Sequence, residues 1–290
     1  MDIHLPREWD EAARQICRDR PHLVLVIGET DTGKSTFIRH LLRVLLNSGI
    51  SCSLVDADIG QKDLGPPATV TLGEFRYLYE LRLAVPRAMY FVGSTSPRGH
   101  LLPLLVGTKL MAEKAEGQVV VVNTTGFVRN AGFALKGFKI ELLSPELIVA
   151  LQREAELEPL LEAYSHMQCA RLPVSEMAEP KSFDERRALR REAFRRYFAS
   201  SRMRRLKVEE LRFQRAGSER GDEGMRDLMK PHLLVGLADP EGETLGLGII
   251  KGFNAGEVRM LTPVRGKVAV LQFSRMLLRE DGKELGFVRW

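Results

Sequence analysis

Cysteine is scarce. Three in 290 residues, at Cys17, Cys52 and Cys169, are too scattered and odd in number for a disulfide framework. They form no C-x-x-C pair, so zinc is not indicated either. No apolar run approaches the ~18 residues of a membrane span. The stretch Met1-Asp2-Ile3-His4-Leu5-Pro6 lacks the basic segment followed by an apolar one that marks a secretory signal. These absences point away from a secreted disulfide scaffold, a zinc module and a helical membrane protein. A cytoplasmic location with no membrane partner is the expectation by default. Asparagine is also rare, with four, and Arg outnumbers Lys by 31 to 12, a bias in keeping with a thermophile or a GC-rich genome.

What is present fits an ordinary globular protein, 44% hydrophobic and 28% charged. The length suits one large domain, or a medium one with a small one. The net charge of +5 is unevenly spread. Thirteen Lys/Arg stand against five Asp/Glu between Lys181 and Arg215, which leaves the rest slightly acidic. Such a block is either a surface for a polyanion or a solvated helix face.

The chain is organised around Gly28-Glu29-Thr30-Asp31-Thr32-Gly33-Lys34-Ser35-Thr36. This nonapeptide follows the apolar run Leu23–Ile27 and precedes a helical pattern from Phe37 to Leu46. Strand, G-x-x-x-x-G-K-[ST] loop and helix together form the phosphate-binding P-loop. Two glycines let the backbone turn so that successive N–H groups face one phosphate chain. The helix opening near Lys34 adds its positive dipole end. Lys34 reaches the β- and γ-phosphates of ATP or another NTP, and the Ser35 hydroxyl is placed for Mg²⁺.

A second strand, Ile50–Val55, delivers Asp56-Ala57-Asp58-Ile59-Gly60-Gln61. In open α/β sheets ligands sit at the carboxyl ends of strands. One aspartate can hold Mg²⁺ through water while the other accepts a proton from an attacking hydroxyl. Both belong on one strand face. Gly65–Thr71 reads as a rigid loop, 72–87 as part strand and part loop, and Met89–Val92 as a strand ending in Gly93-Ser94-Thr95-Ser96-Pro97. That hydroxyl-rich end is either a phosphate or sugar contact or a plain loop. His100–Ala115 reads as a helix, and Gln118–Val122 as a buried strand that delivers Asn123-Thr124-Thr125-Gly126-Phe127. Leu147–Leu151 is another strand, 153–166 a helix and 170–174 a short strand. The alternation predicts an α/β fold, a doubly wound parallel sheet of the P-loop NTPase kind. Residues 6–19 read as an amphipathic helix whose Trp9 either covers a nucleotide base or packs in the core.

Asp184–Ser201 is helical and dense in arginine: Arg186, Arg187, Arg190, Arg191, Arg195 and Arg196. Spacing by three and four places several on one face, as in a lid. After a charged linker near 216–229, four strand-like runs and two turns predict a small C-terminal β domain at 230–290. The expected division is therefore 1–215, including the lid, and 230–290.

These motifs carry a family likeness. Thr30-Asp31-x-Gly33-Lys34-Ser35-Thr36, Asp56-x-Asp58-x-Gly60-Gln61, Thr95-Ser96-Pro97, Thr124-x-Gly126-Phe127 and an Arg-rich helix ending Tyr197-Phe198 resemble the polynucleotide 5′-hydroxyl kinases of RNA processing. That family includes kinases linked to tRNA splicing and ribosomal RNA maturation. The likeness spans about 20–200 and implies transfer of a γ-phosphate to the 5′-hydroxyl of RNA or DNA. It implies that Asp58 is the general base and that Asp56 lies on the metal's water shell. Gln61, Thr95 and Ser96 would place the acceptor, Thr124 to Phe127 would be the clasp on its terminal nucleotides, and Arg187 and Arg191 would be the catalytic arginines of the lid. Phe127 stands where the family usually has Trp. About twenty residues precede the first strand, so the chain resembles a minimal form without the eukaryotic amino-terminal domain. A processing endonuclease is a conceivable protein partner. The competing readings are a non-catalytic nucleotide-binding scaffold in an RNA-processing assembly and a small-molecule P-loop kinase or ATPase switch.

Overall fold

The computed structural model of the chain describes residues 5–83, 85–215, 229–254 and 256–288. The expected linker therefore lies, apart from Met229, outside the described residues. The chain opens with α1 (Arg7–Asp19), β1 (Leu23–Gly28), α2 (Lys34–Asn47), β2 (Cys52–Ala57), β3 (Thr69–Phe75), the short α3 (Glu80–Leu83) and β4 (Ala88–Phe91). It continues with α4 (Leu101–Glu113), β5 (Val119–Thr124), α5 (Ala131–Leu143), β6 (Leu147–Gln152), α6 (Glu158–Ala163) and β7 (Cys169–Pro173). Then come α7 (Phe183–Phe198), β8 (Arg202–Lys207), β9 (Arg212–Arg215), β10 (Leu233–Ala238), β11 (Thr244–Asn254), β12 (Glu257–Thr262), β13 (Val270–Leu278) and β14 (Glu284–Phe287).

The first sheet has the order β4-β3-β2-β5-β1-β6-β7. β2, β5, β1, β6 and β7 run parallel in register. Every residue of β5 is buried, as are five of the six in β1, because helices cover both faces of such a sheet. α2 buries Phe37, Leu41, Leu42 and Leu45 at helical spacing, and α1 adds Trp9, Ala13 and Ile16. The strand order reverses beside β1, so the crevice that receives ligands opens where β1 meets the P-loop. The expected P-loop α/β class is the one observed.

Three local expectations are corrected. The loop assigned to Gly65–Thr71 gives way at Thr69 to β3, antiparallel to β2. Its run Thr69-Val70-Thr71-Leu72 is buried and β-branched, which suits a pleated surface better than a loop. Residues 131–143, left without an element, form α5; Gly132 and Gly137 weaken its helical signal, and packing compensates. The helix expected over 153–166 shrinks to α6, since Glu156 accepts from the N–H groups of Arg153 and Glu154 and holds a turn there.

The chain divides into two compact units, one of 1–58, 70–87 and 97–182, the other of 59–69, 88–96 and 183–290. Residues from 183 on, expected in the first domain as far as 215, group with the second unit. The helix expected as a lid, α7, belongs to the second unit, because its Phe194 and Phe198 are buried with Phe91, Leu234, Leu247, Ile249 and Met276 in one cluster. The Tyr197 hydroxyl accepts from the N–H of Leu247 at 2.7 Å, which ties α7 to β11. The β segment is larger than expected, since β8 and β9 join β10–β14. Its sheet runs β14-β13-β10-β11-β12-β8, with β9 parallel to β13. A second cluster, including Leu233, Val235, Leu237, Val258, Met260 and Phe273, fills its other face.

Candidate functional site

The P-loop closes on itself with its own side chains. Thr32 is fully buried and its hydroxyl donates to the Glu29 carbonyl at 3.0 Å. Gly33 has φ +88° and abuts Trp9, whose Cη2 would lie 2.5 Å from an added Cβ. Trp9 is 1% exposed, packs edge-on against Phe37 at 5.9 Å and donates its indole N–H to the Pro173 carbonyl. Of the two readings of Trp9, the core one holds, and the ring supports the underside of the phosphate loop. The loop's acids are balanced locally: Glu29 pairs with Arg129 at 2.7 Å and Asp31 with Lys181 at 3.6 Å. Arg153 also donates to the Asp31 carbonyl at 2.9 Å.

Lys34 stands at the first residue of α2 and is buried. Its Nζ donates to the carbonyls of Gly28 at 2.9 Å and Glu29 at 2.5 Å, across the loop it serves. Burial lowers its pKa to about 8, against the pull of Asp58 and Asp31, which favour the ammonium form. Ser35 and Thr36 follow in the first turn, half-buried, and Thr30 is exposed at the loop's rim.

β2 and β5 bring Asp56 level with Asn123. Asp56 is fully buried, and its Oδ1 accepts from Asn123 Nδ2 at 3.0 Å and from the Asp58 N–H at 3.2 Å. Asn123 Oδ1 and Thr125 Oγ1 are buried without a hydrogen-bond partner among the described residues. A buried carboxylate, the Ser35 hydroxyl and orphaned oxygens at a strand end are hard donors, which fit Mg²⁺. Among the described residues no group of three or more His, Cys, Asp or Glu could hold a metal ion.

The loop expected to be the clasp leaves β5. The Thr124 hydroxyl, expected on the substrate, is fully buried and donates to the Val26 carbonyl at 2.8 Å; it pins β5 to β1. Gly126 presses on the P-loop, where an added Cβ would lie 2.5 Å from the Thr30 nitrogen. Phe127 is half-buried, with the Arg98 guanidinium 5.7 Å from its ring centroid.

Two residues absent from the sequence reading matter here. Lys136 and Lys139 of α5 are both fully buried. Lys136 Nζ donates to the Thr125 carbonyl at 2.6 Å and so braces the loop after β5. Burial drives its pKa well down, aided by Lys139 and Lys34 and opposed by Asp58. Lys34, Asp58 and Lys136 are thus electrostatic neighbours. Two lysines three apart in a helix otherwise rich in Leu, Phe and Ala were the available signal.

The remaining expected residues lie in the second unit. Gln61 donates to the Arg186 carbonyl at 3.3 Å. Thr95 Oγ1 donates to Glu284 at 3.4 Å, and Ser96 takes part in a small turn with Ser94. Arg191 pairs with Asp281 at 2.5 Å, while Arg187 reaches the Glu284 carbonyl at 3.5 Å. Arg190, between them, pairs with the Glu284 carboxylate at 2.9 Å. The arginine helix thus engages the β13–β14 turn of its own unit.

Comparison with known proteins places this geometry. The family described as "mRNA cleavage and polyadenylation factor CLP1 P-loop" matches residues 28–200. A polyribonucleotide 5′-hydroxyl-kinase of Pyrococcus furiosus is 34% identical, over 99% of this chain and 97% of its own length. One from Methanocaldococcus jannaschii is 28% identical over 93% of this chain and 90% of its own. In fold, the chain matches wild-type Clp1p, solved in complex with Pcf11p, with a TM-score of 0.72 at 14% identity, over 94% of this chain and 80% of that one.

Proposed function

The chain belongs to the CLP1 P-loop family, and on that premise we propose that it is a polynucleotide kinase, which moves the γ-phosphate of ATP or another NTP to the 5′-hydroxyl end of RNA. One observation supports the reading most: Gly126 lies directly against Thr30 of the phosphate loop, where an acceptor held by the 124–127 loop would meet the donor phosphates. A scaffold that only bound nucleotide would need the cradle alone.

The chain's own residues divide the work. The P-loop N–H groups and Lys34 hold the phosphates, and the carbonyls that Lys34 now contacts give way to phosphate oxygens. Mg²⁺, bound with the nucleotide, supplies neutralisation of charge on the β- and γ-phosphate oxygens. Ser35 and, through water, Asp56 would hold it. Asp58, an electrostatic neighbour of Lys34 and Lys136, accepts the proton of the 5′-hydroxyl. Phe127 stacks on the terminal base, Thr125 and Gly126 line its path, and Gln61, Thr95 and Ser96 steady the acceptor end. Arg187 and Arg191 are, in this reading, the lid arginines suited to charge that develops on the transferred group.

Transfer of a γ-³²P label to a 5′-hydroxyl oligoribonucleotide tests the proposal. Labelled RNA is expected with the wild type and none with Lys34→Ala. Release of free phosphate, or transfer only to a small metabolite, would overturn it in favour of an ATPase or a metabolite kinase. A DNA acceptor run alongside measures the preference for ribose.

A further inference from the structure

The arginines of this chain are not equivalent. Those of α7 are engaged: Arg190 with Glu284, Arg191 with Asp281, and Arg195 and Arg196 with Glu192. Further along, β8 forms the edge of the second sheet and pairs with β12 so that Arg205 stands directly opposite Arg259. Both are exposed, and among the described residues neither has a carboxylate partner. Like charges opposite one another across a strand pair destabilise a sheet. Basic residues on an edge strand can serve to block edge-to-edge pairing. That accounts for Arg205 and not for Arg259, which lies on an interior strand.

The placement of the pair is informative. On β12, Val258 and Met260 point into the core opposite α7. Leu261 is in register with Ile249, which packs under α7. Arg259 and Arg205 therefore stand on the α7 face of the sheet. The Arg259 guanidinium lies over Gly252, whose missing Cβ would be 3.2 Å from Nη2, so it rests against the backbone while remaining exposed. Met203, two residues before Arg205 and so on the same face, is 54% exposed and offers an apolar flank. Lys207 also faces this way, but it sits opposite Glu257 and pairs with Glu210 at 3.8 Å.

We propose that the β8–β12 face, through Arg205 and Arg259, is a second nucleic-acid contact, which grips phosphodiesters of the acceptor strand. Side chains opposite one another on paired strands are rooted ~5 Å apart, which suits two guanidinium groups on one phosphodiester or on two successive ones. Met203 gives a neighbouring base an apolar surface. A bound phosphate relieves the like-charge repulsion that the free sheet carries. The inference rests on the polynucleotide kinase reading and adds a second surface for the acceptor strand.

The test is the double variant Arg205→Gln, Arg259→Gln, assayed with a 5′-hydroxyl trinucleotide and with a long single-stranded RNA. A trinucleotide carries too few phosphodiesters to engage a second surface as well as the active site. Its KM and kcat are expected to be unchanged, whereas KM for the long strand should rise by about tenfold. Losing two phosphate contacts should also flatten the dependence of log KM on log salt for the long strand by ~1.4. The melting temperature should hold or rise, which separates the effect from unfolding. An unchanged KM for the long strand, or equal damage with both acceptors, would overturn the inference. If the wild type phosphorylates neither acceptor, the kinase reading is what fails. Fluorescence anisotropy with the same long RNA then still decides the surface: equal affinity of wild type and double variant refutes it. So does loss of binding to phosphatidylserine vesicles with RNA affinity intact, which would assign the face to a membrane.

Discussion

Replacing Gly126 with alanine tests the meeting of clasp and phosphate loop by a single methyl group. The added Cβ would stand 2.5 Å from the Thr30 nitrogen and 2.6 Å from its Cα, and would also meet its hydroxyl. Carbon atoms pack at ~3.5–4.0 Å, so the two loops must part by ~1 Å. The obstructing atoms are largely backbone, which cannot swing aside as a side-chain tip can. Overpacking of this kind costs ~1–3 kcal/mol. Against a typical ~5–15 kcal/mol of net stability the variant still folds. Its melting temperature should fall by several degrees, at ~2–4 °C per kcal/mol for a chain of roughly this size. The catalytic loss should be larger than the structural one, because a 1 Å misplacement of positioned groups costs ~10²-fold. Single-turnover transfer from γ-labelled ATP to a 5′-hydroxyl oligoribonucleotide should therefore slow by about 10²-fold. ATP affinity should change by no more than a few-fold, since the P-loop N–H groups survive a small displacement of the clasp. A Gly126→Ala protein that transfers phosphate within about threefold of the wild-type rate would refute the reasoning, because the spacing of the two loops would not then set the reaction geometry.

Asp58→Asn should lower kcat by about 10²-fold or more with nucleotide affinity retained; if Asp56→Asn removes activity and Asp58→Asn does not, the two roles are reversed. Lys136→Met leaves the Thr125 carbonyl without its donor, a loss of ~1–3 kcal/mol that relief of a buried charge offsets, so acceptor KM should rise while the melting temperature holds; unchanged acceptor KM would show that the lysine does not position the clasp. Phe127→Ala should weaken oligonucleotide binding by ~1–3 kcal/mol and leave ATP binding intact, as titrations of each ligand would show. Lys34 is lowered to about 8 in the free protein, and only its protonated form attracts phosphate. The nucleotide kcat/KM should thus fall as pH rises through about 8, while kcat, set with phosphates already beside the ammonium, should hold to higher pH. A kcat/KM profile flat to about pH 10, the range of an unperturbed lysine, would refute the lowered value.

Local rules carried the sequence a long way. The P-loop was plain because its chemistry is contiguous: a buried strand, two glycines, Lys34 and a helix start occupy one stretch of chain. The aspartates were found for the same reason, since a strand end delivers them together. The parallel core followed from apolar runs such as Val119–Val122, which only burial on both faces explains. What depended on distant partners stayed hidden. Nothing near Gly126 in the chain says that Thr30 leaves no room for a Cβ. Thr124 carries a hydroxyl suited to substrate, and only the pairing of β5 with β1 commits it to the Val26 carbonyl. α5, with two glycines and two lysines, reads poorly as a helix until its lysines are seen buried beneath the clasp. The arginine block at 181–215 looked uniform, because sequence counts charges and cannot see their partners. Folding sorted it: α7 joined the second sheet through Phe194 and Phe198 and gave its arginines acids to hold, while register alone set Arg205 against Arg259 with no acid between them. Strand, helix and phosphate loop arise from interactions within a few residues, which sequence determines; room, burial and the pairing of charge arise between residues of different elements, and only the tertiary structure decides them.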